Sequence, residues 1–291
     1  MSLGADFRPR LFGVLWLLTG LCFSCASPEE GEDQRGRPQS LDQNPVFFSE
    51  LIHVPPNQDT VFLSYLRVCR APEWEALLEE GLIRDVSLFE LEQAEGFLKE
   101  AQTWDFLLLF EAVPGTESER VFGPADARGA CSGFTNPTHT VLRTEALATT
   151  PDSYFPEPHP MHKGRAAEIP YLIEFIGVED TPEALATYRR LMESYFGPEN
   201  GVLVEQGKLY NLIALETTEV FFQAPEVSPW NQLHVSGDLP EFMELDWDSL
   251  YADLHQRLFS IDLDSTWSQM PPIVERPGNY NGRLLEEFWD H

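Results

Sequence analysis

The sequence predicts an α+β fold built from two β-α-β-β-α-β units in tandem. Three observations predict it. β-rich runs bounded by turn residues alternate with helix-period stripes along most of the chain. Two stretches echo each other: residues 61–68, Ala71-Pro72-Glu73 and Trp104-Asp105 reappear as residues 171–178, Thr181-Pro182-Glu183 and Trp230-Asn231. Strand start and proline are equally spaced in both copies, and an internal repeat sets the architecture before any single motif does.

The second copy is the clearer one. Residues 170–178 (PYLIEFIGV) read as a strand between polar turns. Thr181 is a good N-cap, with Pro182 at the first helical position and Glu183 in the positive first turn. Leu185, Tyr188, Leu191, Met192, Tyr195 and Phe196 form one helical stripe, and Gly197-Pro198 is expected to stop the helix. Residues 202–205 and 208–220 read as a bent strand or hairpin around Gln206-Gly207, and residues 230–236 as the next strand. Asp246 caps a second helix with a stripe from Trp247 to Leu258, and residues 266–270 are expected as the last short strand. The order is that of a ferredoxin-like unit.

The first copy follows the same order with shorter elements. Strands are expected at residues 60–68, 82–92, 104–112 and 138–148, and helices at 72–80, closed by Gly81, and at 124–130. The predicted organisation is a leader at 1–26, a linker at 27–57, a first unit at 58–150, a linker at 151–168, a second unit at 169–270 and a surface-wrapping tail at 271–291.

The leader has Arg8 and Arg10 before an apolar stretch at 11–23 that is short for a membrane span. Cleavage after Ala26 and lipidation of Cys25 are the two endings. Either predicts an exported protein, periplasmic or anchored to the bacterial outer membrane as a lipoprotein, with no membrane-spanning segment after processing. Beyond the leader only Cys69 and Cys131 remain; buried free thiols are the expectation, with a Cys69–Cys131 bridge as the alternative. The 48 acidic against 19 basic side chains give a net charge of −29. That excludes a nucleic-acid binder, which needs a basic footprint. It reads as a solvated surface, or more sharply as an acidic patch for a cationic ligand.

Two such units with the x-Pro-Glu and Trp-Asp/Asn echoes resemble the dimeric α+β barrel superfamily in a tandem-fused form. The resemblance covers about residues 60–270. It implies two sheets facing each other in a barrel, with helices outside. The superfamily holds polyketide cyclases, cofactor-free monooxygenases, isomerases, haem enzymes such as chlorite dismutases and dye-decolourising peroxidases, and members without known activity, so the resemblance alone assigns no reaction.

Alternate strand residues share a face. Trp230, Gln232, His234 and Ser236 oppose Leu233 and Val235; Glu174 lies with Leu172 and Ile176; Tyr210 and Glu216 lie with Leu212 and Ala214. The polar-aromatic faces are expected to line the barrel interior. There His234 would act as a base, with Glu216 or Glu174 orienting it. Trp230, Tyr210 and Gln232 would contact a small apolar or aromatic ligand. The bland alternatives are a structural histidine, strand-end glutamates and a barrel-filling tryptophan. The first copy has Phe106, Leu108 and Phe110 at the positions of Gln232, His234 and Ser236, so the second copy is the expected home of a site.

No metal site is expected; His159 and His162 read as an exposed linker. His255, beside the last helix's apolar stripe, is the haem-ligand candidate that the haem members of the superfamily imply. P-loop, GxGxxG, GxSxG and HExxH motifs are absent, which removes nucleotide-dependent, serine-hydrolase and zinc-protease readings. The expected function is an exported small-molecule-binding barrel, without a cofactor if it is a cyclase, isomerase or monooxygenase. The alternatives are a haem-binding oxidoreductase and a non-catalytic envelope scaffold.

Overall fold

Eight antiparallel strands close into one barrel in the computed structural model, which describes residues 46–93, 104–123, 139–150, 153, 169–239 and 245–285. The expected leader, the expected helix at 124–130, His159, His162 and Cys131 lie outside the described residues. The strands are β1 (Val46–His53), β2 (Ile83–Gln93), β3 (Phe106–Ala112), β4 (Thr140–Thr149), β5 (Pro170–Val178), β6 (Leu209–Gln223), β7 (Gln232–Asp238) and β8 (Ile273–Leu284). Their order around the barrel is β1-β3-β2-β8-β5-β7-β6-β4. Each half is a ferredoxin-like sheet, β4-β1-β3-β2 and β8-β5-β7-β6. The halves join where β2 meets β8 and β4 meets β6. The predicted α+β class and tandem closure are therefore observed.

Both halves carry the same long, interrupted helix after their first strand. In the first half, α1 (Asp59–Tyr65) runs through a π-helical turn (Leu66–Arg70) into α2 (Ala71–Glu79). In the second, α4 (Pro182–Leu191) runs through the turn Met192–Phe196 into α5 (Gly197–Glu205). Each wide turn ends just before x-Pro-Glu: the Ala71 N–H bonds the Leu66 carbonyl, and the Gly197 N–H bonds the Met192 carbonyl. Proline lacks an N–H and its ring clashes with the carbonyl four residues back; a wide turn moves that carbonyl away. Hence Gly197-Pro198 does not stop the helix, and residues 202–205 are helical rather than extended.

The true echo of Ala71-Pro72-Glu73 is Gly197-Pro198-Glu199. Each helix then ends at a glycine with positive φ, 69° at Gly81 and 65° at Gly207. The N–H of the next residue reaches back, Leu82 to Leu77 and Lys208 to Leu203, as in a Schellman cap. Pro72 to Gly81 matches Pro198 to Gly207, and the same register carries Trp104 onto Trp230.

The Trp-Asp/Asn echo ties the third strand of each half to the first. The Asp105 N–H donates to the Ile52 carbonyl, and its carboxylate accepts from the Val54 N–H at 2.7 Å. In the second half Asn231 N–H donates to Ile176, and its side-chain oxygen accepts from the Val178 N–H at 2.9 Å. The two tryptophans enter the barrel and meet there with ring centroids 5.3 Å apart.

Two further expected strands change. Residues 60–68 are helical: Phe62, Leu66 and Cys69 are buried at helical spacing, and that tertiary contact outweighs the β propensity of Thr60, Val61 and Val68. The first strand is instead Val46–His53, within the expected linker. Residues 266–270 include the end of α7 (Leu263–Trp267), and the last strand lies in the expected tail. β8 hides from pattern reading because its inward positions include Gly278 and Gly282. A Cβ on Gly282 would sit 2.6 Å from the Ile173 side chain, so glycine makes room for β5 residues inside the barrel. The remaining helices are α3 (Ser118–Phe122) and α6 (Trp247–Phe259), the latter capped by Asp246 as predicted. Cys69 is disulfide-bonded, where free thiols were expected.

Candidate functional site

The barrel interior is filled. One apolar cluster draws on all eight strands, with Phe47, Phe89, Leu107, Leu147, Tyr171, Ile213, Leu233 and Tyr280 among its members. Trp104, Phe175, Trp230 and Tyr280 pack edge to face or stacked, with centroids 4.6–6.0 Å apart. Burial pushes the Tyr280 hydroxyl well above its usual range, with the charge of Asp105 adding to it.

Amid this cluster sits a buried polar network. The Arg143 side chain is 1% exposed and that of Glu145 0%. Arg143 donates through Nε and Nη2 to Glu145 Oε2 at 3.0 and 2.6 Å, through Nη1 to Gln223 Oε1 at 2.8 Å and through Nη2 to the Trp230 carbonyl at 2.8 Å. Its guanidinium lies 3.8 Å from the centroid of the Trp230 ring. Trp230 Nε1–H, Ser49 and Thr217 all donate to Glu145. Burial pulls the Arg143 guanidinium down, and Glu145 pulls it back up. The network joins Ser49, Arg143 and Glu145 of the first half to Thr217, Gln223 and Trp230 of the second, and so pins the halves together. Arg143 and Glu145, two apart on a strand, share a face; that was the signal available in the sequence.

The structure divides the predicted site residues. Trp230 and Tyr210 pack with the interior cluster. Glu174, Glu216, Gln232 and His234 share the other face of the second sheet, beneath the helices. Their expected place inside the barrel is therefore corrected. Leu233 and Val235 turn inward because the interior is apolar, which sends the polar residues of β7 outward. The bulge between Leu209 and Asn211 parts Tyr210 from the Glu216 face.

On that outer face the four residues do come together. His234 is paired across the sheet with Glu174 on β5 and Ala214 on β6; Gln232 is paired with Ile176 and Glu216. α4 lies above: the Tyr188 hydroxyl is 3.1 Å from His234 Nε2, and Arg189 Nε donates to Glu216 at 2.8 Å. Glu216 is thus committed to Arg189 rather than orienting His234. The helix layer here has two separate apolar clusters. One joins Ile176 and Val178 to α4; the other joins Leu209 to Leu203 and Leu254. Between these positions Leu172, Glu174, His234 and Ser236 are only partly buried. Gln232 is wholly buried, and neither its side-chain nitrogen nor its oxygen has a partner.

The second half holds another polar chain that the sequence reading saw only at His255. His255 of α6, Glu199 of α5 and Thr266 of α7 are all fully buried. His255 Nδ1 lies 2.7 Å from Glu199 Oε1, and Nε2 lies 2.8 Å from Thr266 Oγ1. The rings of Tyr195 and Phe259 cover the imidazole. Burial pushes the Glu199 carboxyl up to about 8 and pulls His255 down, so it favours the uncharged form of both groups. Glu199 Oε2 is buried without a partner.

No family model and no curated protein matches the chain. Among solved structures it is similar to a haem-binding protein from Thermus thermophilus, at 11% identity and TM-score 0.43, covering 84% of this chain and 93% of the other. A chlorite dismutase variant from Candidatus Nitrospira defluvii gives 11% and 0.43, with 85% and 97% covered. A dye-decolorizing protein from V. cholerae gives 14% and 0.43, with 84% and 95% covered. The likeness is one of fold. The expectation of a cofactor-free protein does not stand beside neighbours that include a haem-binding one, and it is set aside. Among the described residues no helix is long and apolar enough to cross a membrane.

Proposed function

We propose that this chain is an exported small-ligand-binding α+β barrel of the haem-binding, oxidoreductase type, with its ligand between the sheet and the helices of the second half. The observation that supports this is the broken helix layer over Glu174, His234 and Ser236, set against a barrel interior occupied by one apolar cluster. Polar groups beside apolar walls are what a small-molecule site offers. His234, held by Tyr188 and facing Glu174, would position a polar edge of the ligand. The Arg189–Glu216 pair would close one side.

His255 does not fit as an axial ligand as it stands, because both ring nitrogens are already engaged. Its carboxylate partner is nonetheless the companion that metal-site imidazoles keep. Haem, when bound, would supply redox chemistry at iron; the chain's part is to bind, orient and exclude water.

The test is titration of the purified mature protein with hemin, read by its Soret absorption, in wild type and His234→Leu. Saturable binding that weakens in the variant supports the reading. A wild-type spectrum equal to that of free hemin sinks it.

A further inference from the structure

At the seam where β4 meets β6, the chain exposes a run of large apolar residues. Val220, Phe221 and Phe222 of β6 are 44%, 38% and 48% exposed. A run of this kind on a surface is a liability unless something uses it. The other seam shows that a polar covering would serve: there Arg283 of β8 pairs with Glu90 of β2 across the join.

The run leads inward along the outer face. A register shift makes Phe221 an extra residue of β6 opposite β4, and its ring reaches Phe48 of β1, with centroids 6.2 Å apart. Phe222 is paired with Thr144, and Thr144 with Glu50. Glu50 and Phe222 are thus two strand spacings apart, about 10 Å. Between them β4 offers this face only the small side chains of Thr144 and Ala146. Glu50 is partly exposed, although Phe48, Ile52, Leu108 and Thr144 around it are all buried. An opening therefore reaches Glu50. It comes from the β4 side, because on the β3 side Leu108 and Phe110 lie in the apolar cluster with Phe62, Leu66 and Trp74.

Glu50 has no binding duty within the chain. No described residue donates a hydrogen bond to its carboxyl, and Arg70 is the one described charge that acts on it. Arg70 itself is turned to other partners: it donates to the Gly123 carbonyl at 2.6 Å and the Val121 carbonyl at 3.1 Å, with Glu73 at 3.6 Å. A carboxylate this enclosed is costly unless a positive charge stands beside it. Exposed Glu219, paired with Ala146 one row along, adds a second acid at the rim. A net charge of −29 favours a cation in the same sense.

We infer that this groove is a second ligand site, for an organic ammonium ion whose cationic head meets Glu50 beside the ring of Phe48 and whose apolar body lies over Thr144 toward Phe221 and Phe222. The site is apart from the gap over His234 and does not rest on the haem reading. No covalent bond forms or breaks.

Calorimetric titration of the purified mature protein with n-octylammonium, and with 1-octanol as its neutral analogue, tests this. Wild type should bind octylammonium saturably and at least about tenfold more tightly than octanol, as a hydrogen bond to a charged group implies. Glu50→Gln should bind the two alike. Phe222→Ser, at an exposed position, should weaken both by a similar factor. His234→Leu should bind octylammonium as wild type does. Circular dichroism confirms that each variant is folded; if Glu50→Gln is not, Phe222→Ser decides, and wild-type affinity there overturns the inference. So do no saturable binding by wild type, equal binding of the two probes, a retained preference in folded Glu50→Gln, or lost binding in His234→Leu. None of these outcomes bears on the hemin titration, so the two readings fail separately.

Discussion

In the first half of the barrel, β3 sends Phe106, Leu108 and Phe110 into the helix layer; in the second, β7 puts Gln232, His234 and Ser236 in the same places. The first three are at most 1% exposed and belong to one apolar cluster that includes Phe62, Leu66 and Trp74 from the helices. The second three interrupt the layer and leave two smaller clusters on either side. The first strands sharpen the contrast. Each carries a glutamate facing the helices at the same register: Glu50 opposite Leu108, Glu174 opposite His234. Burial pushes the Glu50 carboxyl up, against the pull of Arg70. Two backbones related by the same turns, caps and tryptophan staples thus hold one continuous apolar layer and one interrupted one. A duplicated fold can keep its stability in one copy and carry ligand chemistry in the other.

The largest expected effect tests what the halves share. Glu145→Ala would strand Arg143 inside the barrel, and breaking a buried pair costs about 3–5 kcal/mol. Urea unfolding should show one cooperative transition at a lower midpoint; a loss below about 1 kcal/mol would mean that the network does not pin the halves together.

The next test sets the two faces against each other. Leu108→Ala opens a cavity in the continuous layer and should cost about 2–5 kcal/mol. His234→Leu, which copies the first half's residue, should change stability by less than about 1 kcal/mol, since it gives up a single part-buried hydrogen bond. Equal losses in the two variants would erase the distinction between scaffold and site.

A smaller effect belongs to pH. The Glu199 carboxyl is raised from 4.5 to about 8, so its contribution is fully present below pH 4.5 and is lost as pH rises toward 8. His255, lowered by burial with Asp262 acting against that, works in the opposite sense and adds stability as pH rises to 6.5. Below pH 6.5 the two act in opposite directions. From there to pH 8 the protein should lose about 2 kcal/mol, at 1.36 kcal/mol per pH unit. Thermal melts across this range should show the slope in wild type and not in Glu199→Gln.

Much of this was legible residue by residue. Trp104 and Trp230 marked equivalent strands, Thr181 and Asp246 marked helix starts, and the failure of the repeat at His234 pointed to the half that differs. The x-Pro-Glu echo was misaligned, because Thr181-Pro182-Glu183 looks like the better helix start while Gly197-Pro198-Glu199 looks like a stop. Only the π-helical turns reconcile proline with a continuing helix. Glu199 and Arg143 went unseen for a related reason: a charged residue reads as solvent-facing until its partners, distant in sequence, are known.

By itself the sequence determined the fold class, the duplication, the capped helices and the asymmetry between the copies. These rest on local propensity, turn chemistry and spacing, which act within a few residues. Only the tertiary structure decided which face of each strand looks inward. In a closed barrel wrapped by helices both faces are buried, one by the opposing strands and one by the helix layer, so alternation alone does not tell inside from outside. That choice moved the candidate site from the barrel's centre to the layer around it.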